Sequence, residues 1–144
     1  MSEQNKAAAK RIFDAWNTRD FEVFDEVLAA DYIDHSPQNP YADTHGPEGI
    51  KRFARMYIDA ISDQRFLVNE QIAEGDLVTT RWTGTGTNDG EIMGMPATGK
   101  SAVVQGITMQ RFQDGKAVEG WTCWDTLGMM QQLGLVQQAH TAAS

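Results

Sequence analysis

Hydrophobic positions follow a helical rhythm in the first part of the chain and a two-residue rhythm after it. Ile12, Phe13 and Trp16 recur at spacings of three and four behind the helix-favouring run Ala7–Ala9, which predicts a helix over 3–18. Asn17-Thr18-Arg19-Asp20 breaks it, and Asp20 is placed to cap a second helix containing Phe21, Phe24, Val27 and Leu28. Tyr32-Ile33-Asp34-His35 reads as a short strand ended by Ser36-Pro37. The stretch QNPYADTHGPEG is rich in turn formers and reads as an irregular surface loop, of the kind that covers a cavity mouth. Gly46-Pro47-Glu48-Gly49 then starts a third helix, since the missing N–H of Pro47 does no harm at the first position. Its apolar stripe is Ile50, Phe53, Ala54, Tyr57 and Ile61, and Lys51, Arg52 and Arg55 read as a solvated face.

The second rhythm predicts two hairpins. Arg65–Glu74 and Leu77–Thr85 flank the turn Gly75-Asp76, with Val78, Thr80 and Trp82 on one face and Leu77, Thr79 and Arg81 on the other. Gly84, Gly86 and Gly90 interrupt the run and predict a bulge or bend. Glu91–Gly99 is a loop whose Met93 and Met95 suit either core filling or closure over an apolar ligand. The long final hairpin turns at Asp114–Lys116, because Gly takes positive φ without a steric cost. Val103, Val104, Ile107, Met109 and Phe112 lie on its outgoing strand. On the return strand one face carries Glu119, Trp121, Cys123 and Asp125, the other Val118, Gly120, Thr122, Trp124 and Thr126. Leu127–Leu135 makes a short apolar helix stopped by Gly134, and Gln137–Ser144 lacks periodicity and reads as a frayed tail. Helices segregated from long hairpins mean α+β: one domain over 1–144, core about 3–135, with a curved sheet wrapped over three N-terminal helices around a cone-shaped cavity.

Composition narrows the function classes. The 144 residues suit one domain with a real core, and 41% hydrophobic with 22% charged residues is an ordinary globular mixture. A formal net charge of −8 argues against nucleic acid and against anionic membranes. No apolar run reaches the ~20 residues of a membrane helix, and MSEQNKAAAKRIF lacks the plan of a secretory signal, so a cytoplasmic location is expected. The single cysteine, Cys123, excludes an internal disulfide and reads as a core or pocket-wall residue. His35, His45 and His140 lack metal-ligand spacing, so no metal is expected. GTGTNDG lacks the strand–loop–helix setting of a phosphate loop.

Asp125 carries the main chemical expectation. It shares a face with an indole and a thiol, and a carboxylate near apolar groups is costly unless paired, hydrogen-bonded or protonated. Two readings stand open: the acid/base of an apolar pocket, or a strand-end cap on the turn at Leu127–Met130. His35 likewise either holds a proton or fixes its loop through Asp34 or a backbone carbonyl.

The segments YIDHSP, GPEGIKRF, GDLVTTRWTGTGTNDG, GMPATGK and RFQDGKAVEGWTCWDTLGMMQQLG resemble the SnoaL-like polyketide cyclases, or ester cyclases, of the nuclear transport factor 2-like superfamily. The resemblance runs from about Phe13 to Gly134 and is most specific over Gly115–Gly134. It implies a cone-shaped α+β fold and ring closure by intramolecular aldol condensation, without metal or organic cofactor. It also implies an acidic residue on the last long strand, which Asp125 matches, and a histidine after the small strand, which His35 matches. Asn88 stands where many relatives carry a histidine; it can orient a carbonyl but not shuttle protons. On this reading Trp16, Tyr32, Phe53, Tyr57, Trp82, Ile107, Met109 and Trp121 line the pocket around a flat apolar carbonyl compound. Asp125 removes a proton, and His35, a Trp N–H or Gln105 steadies the enolate. A ligand-binding module without catalysis, and an epoxide or ester hydrolase using Asp125 with Arg81 or Asn88, are the alternatives. The resemblance further implies a homodimer.

Overall fold

The protein is described from a computed structural model covering residues 2–136; the expected tail Gln137–Ser144 and His140 lie outside the described residues. Helix α1 (Ser2–Thr18) buries Ala9, Ile12, Phe13 and Trp16, as its spacing requires. Arg19, at φ 64°, ends it, and its guanidinium donates to the carbonyls of Ser62 and Gln64 at 2.8 and 3.0 Å. The second helix, α2 (Glu22–Val27), is capped differently from expectation: Phe21 holds the N-cap position with no side-chain bond, and Asp20 contributes only its carbonyl, to Val23 N–H at 3.3 Å. Leu28 leaves the helix and opens β1 (Leu28–Asp34), longer than the strand expected at Tyr32–His35. Pairing explains the extension, because β1 lies parallel to β5 (Lys116–Trp124) and gains a ladder that local propensity does not reveal.

Helix α3 (Pro47–Ala60) starts at Pro47 and buries Phe53, Ala54 and Tyr57. Of its charged residues, Lys51 pairs with Asp25 at 2.8 Å, and Arg52 and Arg55 lie over the rings of Tyr41 and Phe21. Strands β2 (Arg65–Glu74), β3 (Leu77–Thr87), β4 (Ser101–Gln113) and β5 form the two expected hairpins, in a five-stranded sheet of order β1-β5-β4-β3-β2. The last turn is tight, with Asp114 at φ 53° and Gly115 at φ 80°. Glycines of β3 do not break it: Gly84 and Gly86 stay in register with Val104 and Ala102. The irregularities fall elsewhere: on β1 between Leu28 and Ile33, on β2 between Val68 and Glu70, and opposite Arg111 and Phe112, where β5 carries an extra residue. Gly86 instead lets the α3–β2 connection close down, since a Cβ there would lie 2.2 Å from Ile61 Cγ2. Helix α4 (Thr126–Gln132) packs against β4 and puts Met129 into the core.

Burial alternates along β4: Ala102, Val104, Gly106, Thr108, Gln110 and Phe112 face in, while Val103 and Ile107 are 60% and 51% exposed. The concave face thus carries a mixture of small, polar and aromatic residues, and α1 and α3 cover it. No helix among the described residues is long and apolar enough to cross a membrane.

Candidate functional site

Between the concave sheet face and the helices lies a cavity of about 120 Å³. That is close to the ~150 Å³ of an apolar cavity that admits a benzene ring. Ile12, Phe13 and Trp16 of α1 and Ile50, Phe53 and Tyr57 of α3 form one side; Phe66, Trp82, Val104 and Trp124 form the other. The rings meet edge to face. Trp16 and Phe66 centroids are 5.2 Å apart at 89°, Phe66 and Trp82 5.0 Å at 86°, and Phe53 and Tyr57 5.3 Å at 83°. Such packing holds each ring in one orientation and gives the cavity flat walls.

Gly106 makes room for the largest of these rings. A Cβ at that position would sit 2.2 Å from Trp82 Cζ2. The indole lies across the strand, and its Nε1–H donates to Thr108 Oγ1 at 3.0 Å. Thr108 and Thr122 share a hydrogen bond of 2.9 Å across β4 and β5.

A polar cluster meets this aromatic box. Tyr32 and Asp34, two apart on β1, point to the same side, and both line the cavity. Gly120, opposite Asp34, has no side chain because Tyr32 Oη occupies that space; a Cβ would lie 2.2 Å from it and 3.3 Å from Gln110 Cγ. Burial first, then the nearby Asp34 charge, pushes the Tyr32 hydroxyl well above its ordinary pKa, against a hydrogen bond from Gln110. Tyr32 therefore stays protonated and remains a donor. Burial alone pushes Tyr57 up to about 12.

Asp34 is held by its own loop. Oδ1 accepts from the backbone N–H of Ser36 at 2.9 Å and from the Ser36 hydroxyl; Oδ2 accepts from Asn39 Nδ2 at 2.7 Å. Ser36 and Asn39 are themselves buried, and Ser36 Oγ accepts from the N–H of Thr122 at 2.9 Å. A carboxylate offers about four acceptor positions, so one on Oδ2 is left for another partner. The polar loop after β1 is thus a shell that orients a carboxylate. The Asp-x-Ser spacing at the strand end, an Asx-turn pattern, is the sequence signal that marks it.

Trp16, Tyr32, Phe53, Tyr57 and Trp82 line the cavity as expected from the sequence. Asp125 does not. Its side chain is exposed and caps α4, Oδ1 accepting from Gly128 N–H at 2.8 Å, which is the second of the two readings open in the sequence. Trp121 and Cys123 share its face as the alternation requires, but that face is the outer one, where the exposed Cys123 lines an open groove with Arg81, Gln105, Ile107 and Asp125 rather than the core. Gln105, Ile107 and Met109 alternate onto the same exterior. Arg81 pairs with Glu70 there at 3.0 Å, so it holds no water for hydrolysis inside.

His35 follows Asp34 and points away from the cavity. Its Nε2 meets Glu119 Oε2 at 3.0 Å, and its ring stacks on Trp121 at 4.9 Å and 19°. Glu119 also accepts from Arg111 Nε at 3.0 Å; the bonds to His35 and Arg111 hold its carboxyl below the usual range. Asn88 is wholly buried and structural. It donates to the carbonyls of Ala60 and Gly90 at 3.2 and 2.8 Å and accepts from Thr98 N–H at 2.9 Å, pinning the loop after β3 to α3. Met93 is exposed, and neither it nor Met95 reaches the cavity. Among the described residues no three His, Cys, Asp or Glu side chains gather as a metal site.

Residues 6–133 match the family model of the SnoaL-like polyketide cyclases. The aklanonic acid methyl ester cyclase DnrD of Streptomyces peucetius is 27% identical over 126 residues, 87% of either chain. Among solved structures, wild-type IdmH of Streptomyces antibioticus superposes with a TM-score of 0.80 at 31% identity, over 91% of this chain and 99% of that one. TsrD of Streptomyces laurentii gives 0.84 at 26% identity, over 94% and 98%.

Proposed function

This chain belongs to the SnoaL-like polyketide cyclase family, and from that premise we propose that it catalyses a cyclase-type reaction on a small apolar carbonyl compound, with Asp34 as acid/base. The observation that carries the proposal is a single oriented carboxylate, with one acceptor position free, at the wall of a ring-lined cavity beside the protonated Tyr32. A carbonyl compound held flat between Trp16, Phe53, Trp82 and Trp124 presents its α-hydrogens to Asp34 Oδ2. As the C–H bond breaks, negative charge moves to the carbonyl oxygen. Tyr32 Oη–H is a donor for that oxygen, and the Thr108–Thr122 pair supplies a second. The enolate carbon then attacks a second carbonyl of the same molecule, and the proton on Asp34 goes to the new alkoxide. A carboxylate is a weak base, so the site suits the more acidic α-hydrogens, those of aryl or 1,3-dicarbonyl compounds. DnrD, an ester cyclase by name, is consistent with that class.

The first half-reaction has its own assay. Exchange of the α-hydrogens of 2-tetralone with deuterium, followed by NMR, should be accelerated by the protein and slowed at least about 10²-fold by Asp34→Asn. Circular dichroism checks that the β1 loop survives the substitution. Equal exchange by Asp34→Asn and the parent chain would remove Asp34 from the role. A second reading, a ligand-binding module without chemistry, is favoured by the three donors already on Asp34, and by the absence of histidine and lysine from the cavity wall among the described residues. Tight binding of 2-tetralone with no exchange above buffer would select it.

A further inference from the structure

The polar side chains of the cavity wall are satisfied to different degrees. Thr108 accepts from the Trp82 indole and bonds Thr122; Asp34 is bound by Ser36 and Asn39. Gln64 and Gln110 are the exceptions, each lining the cavity with an unpartnered Oε1, and the more buried of the two is Gln110. The residue is 4% exposed and lines the cavity, and its Oε1 has no partner. Its side chain lies beside the Tyr32 hydroxyl, and its carbonyl oxygen is buried and unpaired. A buried acceptor without a donor carries its desolvation penalty uncompensated. Glutamine at an inward position of a central strand, between Thr108 and Phe112, has no packing advantage over leucine or methionine to offset that cost.

We propose that Gln110 is a specificity-determining residue that selects ring compounds carrying a hydroxyl donor, phenolic or enolic, over those whose substituents only accept or are apolar. This deepens the reading of the cavity as the site of an apolar carbonyl compound and rests on it. A ketone or ether oxygen brought against Gln110 Oε1 sets acceptor against acceptor, and a methyl group leaves the oxygen unpaired. A hydroxyl donates to Oε1 and keeps its lone pairs for Tyr32 Oη–H. The same cluster would then read an enolised 1,3-dicarbonyl compound, in which a hydroxyl and a carbonyl oxygen sit close together.

Calorimetric titration with 2-naphthol, 2-methylnaphthalene and 2-methoxynaphthalene tests this without requiring turnover. The parent chain should bind 2-naphthol more tightly than either of the others. In Gln110→Met, which keeps length and removes the acceptor, the ratio of 2-naphthol to 2-methylnaphthalene affinity should fall about tenfold or more. An unchanged ratio in Gln110→Met, with 2-methylnaphthalene binding intact, overturns the proposal and leaves the ring-binding cavity standing. So does a parent chain that binds 2-methoxynaphthalene as tightly as 2-naphthol, which needs no variant. Binding of none of the three compounds by the parent chain would instead defeat the cavity reading itself, and this inference with it.

Discussion

Gly106→Ala tests the packing that shapes the cavity. The added Cβ would lie 2.2, 2.6 and 2.7 Å from three atoms of the Trp82 indole. Ordinary contact begins near 3.4 Å, so the ring must move by more than an ångström. It has little freedom to do so. Trp82 is 5% exposed, and Phe13, Phe66 and Trp124 stand with ring centroids 6.4, 5.0 and 6.4 Å from it. Overpacking a core in this way costs roughly 1–3 kcal/mol. Moving the indole also stretches the 3.0 Å bond from Nε1 to Thr108, worth about 1 kcal/mol. Against this, alanine is favoured over glycine within a strand by roughly 0.5–1 kcal/mol. The expected net loss is about 2 kcal/mol, read as a lower urea midpoint at unchanged slope. The mechanism is specific enough for a cycle. In a Trp82→Phe background the atoms met by the new methyl are gone, so the same glycine substitution should cost at least about 1 kcal/mol less. A neutral Gly106→Ala, or an equal cost in both backgrounds, would refute the account of why this strand carries a glycine.

Two further outcomes separate local roles. Asp125→Asn keeps an N-cap acceptor and should leave stability and 2-tetralone exchange nearly unchanged, whereas Asp125→Ala should cost about 1 kcal/mol in urea denaturation without lowering exchange; loss of exchange in a fully folded Asp125→Asn would return that residue to the chemistry. Tyr57 is raised from 10.0 to about 12 by burial, so its stabilising effect is present below the unfolded value and is lost as pH rises through the folded one. Urea midpoints should therefore drop between pH 10 and about 12, by at most roughly 3 kcal/mol from this residue, and drop less in Tyr57→Phe; equal slopes would contradict its burial as the cause.

Much of the architecture was legible because periodicity reports it directly. Phe53 and Tyr57, four apart, fall on one side of a helix, and Asp114-Gly115 can only turn. What was not legible depends on partners far away in sequence. β1 begins at Leu28 because β5 runs alongside it in parallel, and nothing near Leu28 encodes β5. The glycines of β3 looked like interruptions. They are inward positions where Phe66, Ile61 and the neighbouring connection come close, so continuity of the strand and absence of a side chain are both required.

Asp125 was expected on the cavity side for a reason that alternation cannot repair. A two-residue period correctly puts Trp121, Cys123 and Asp125 on one face of β5 and Gly120, Thr122 and Trp124 on the other. Each face carries a tryptophan, so hydrophobicity alone does not say which is concave. Cross-strand partners decide it. Gly106, Thr108 and Gln110 lie opposite Trp124, Thr122 and Gly120, and only that row leaves room for the indole of Trp82 and the phenol of Tyr32. Once the inner face is fixed, the roles of the two aspartates follow from where each strand ends. Asp125 ends β5 on the outer face and meets the first turn of α4, where an exposed carboxylate is a good cap. Asp34 ends β1 on the inner face and meets Ser36 and Asn39, where a carboxylate without donors would be too costly to keep. The donors that make Asp34 tolerable there are the same ones that fix its carboxylate at the cavity wall.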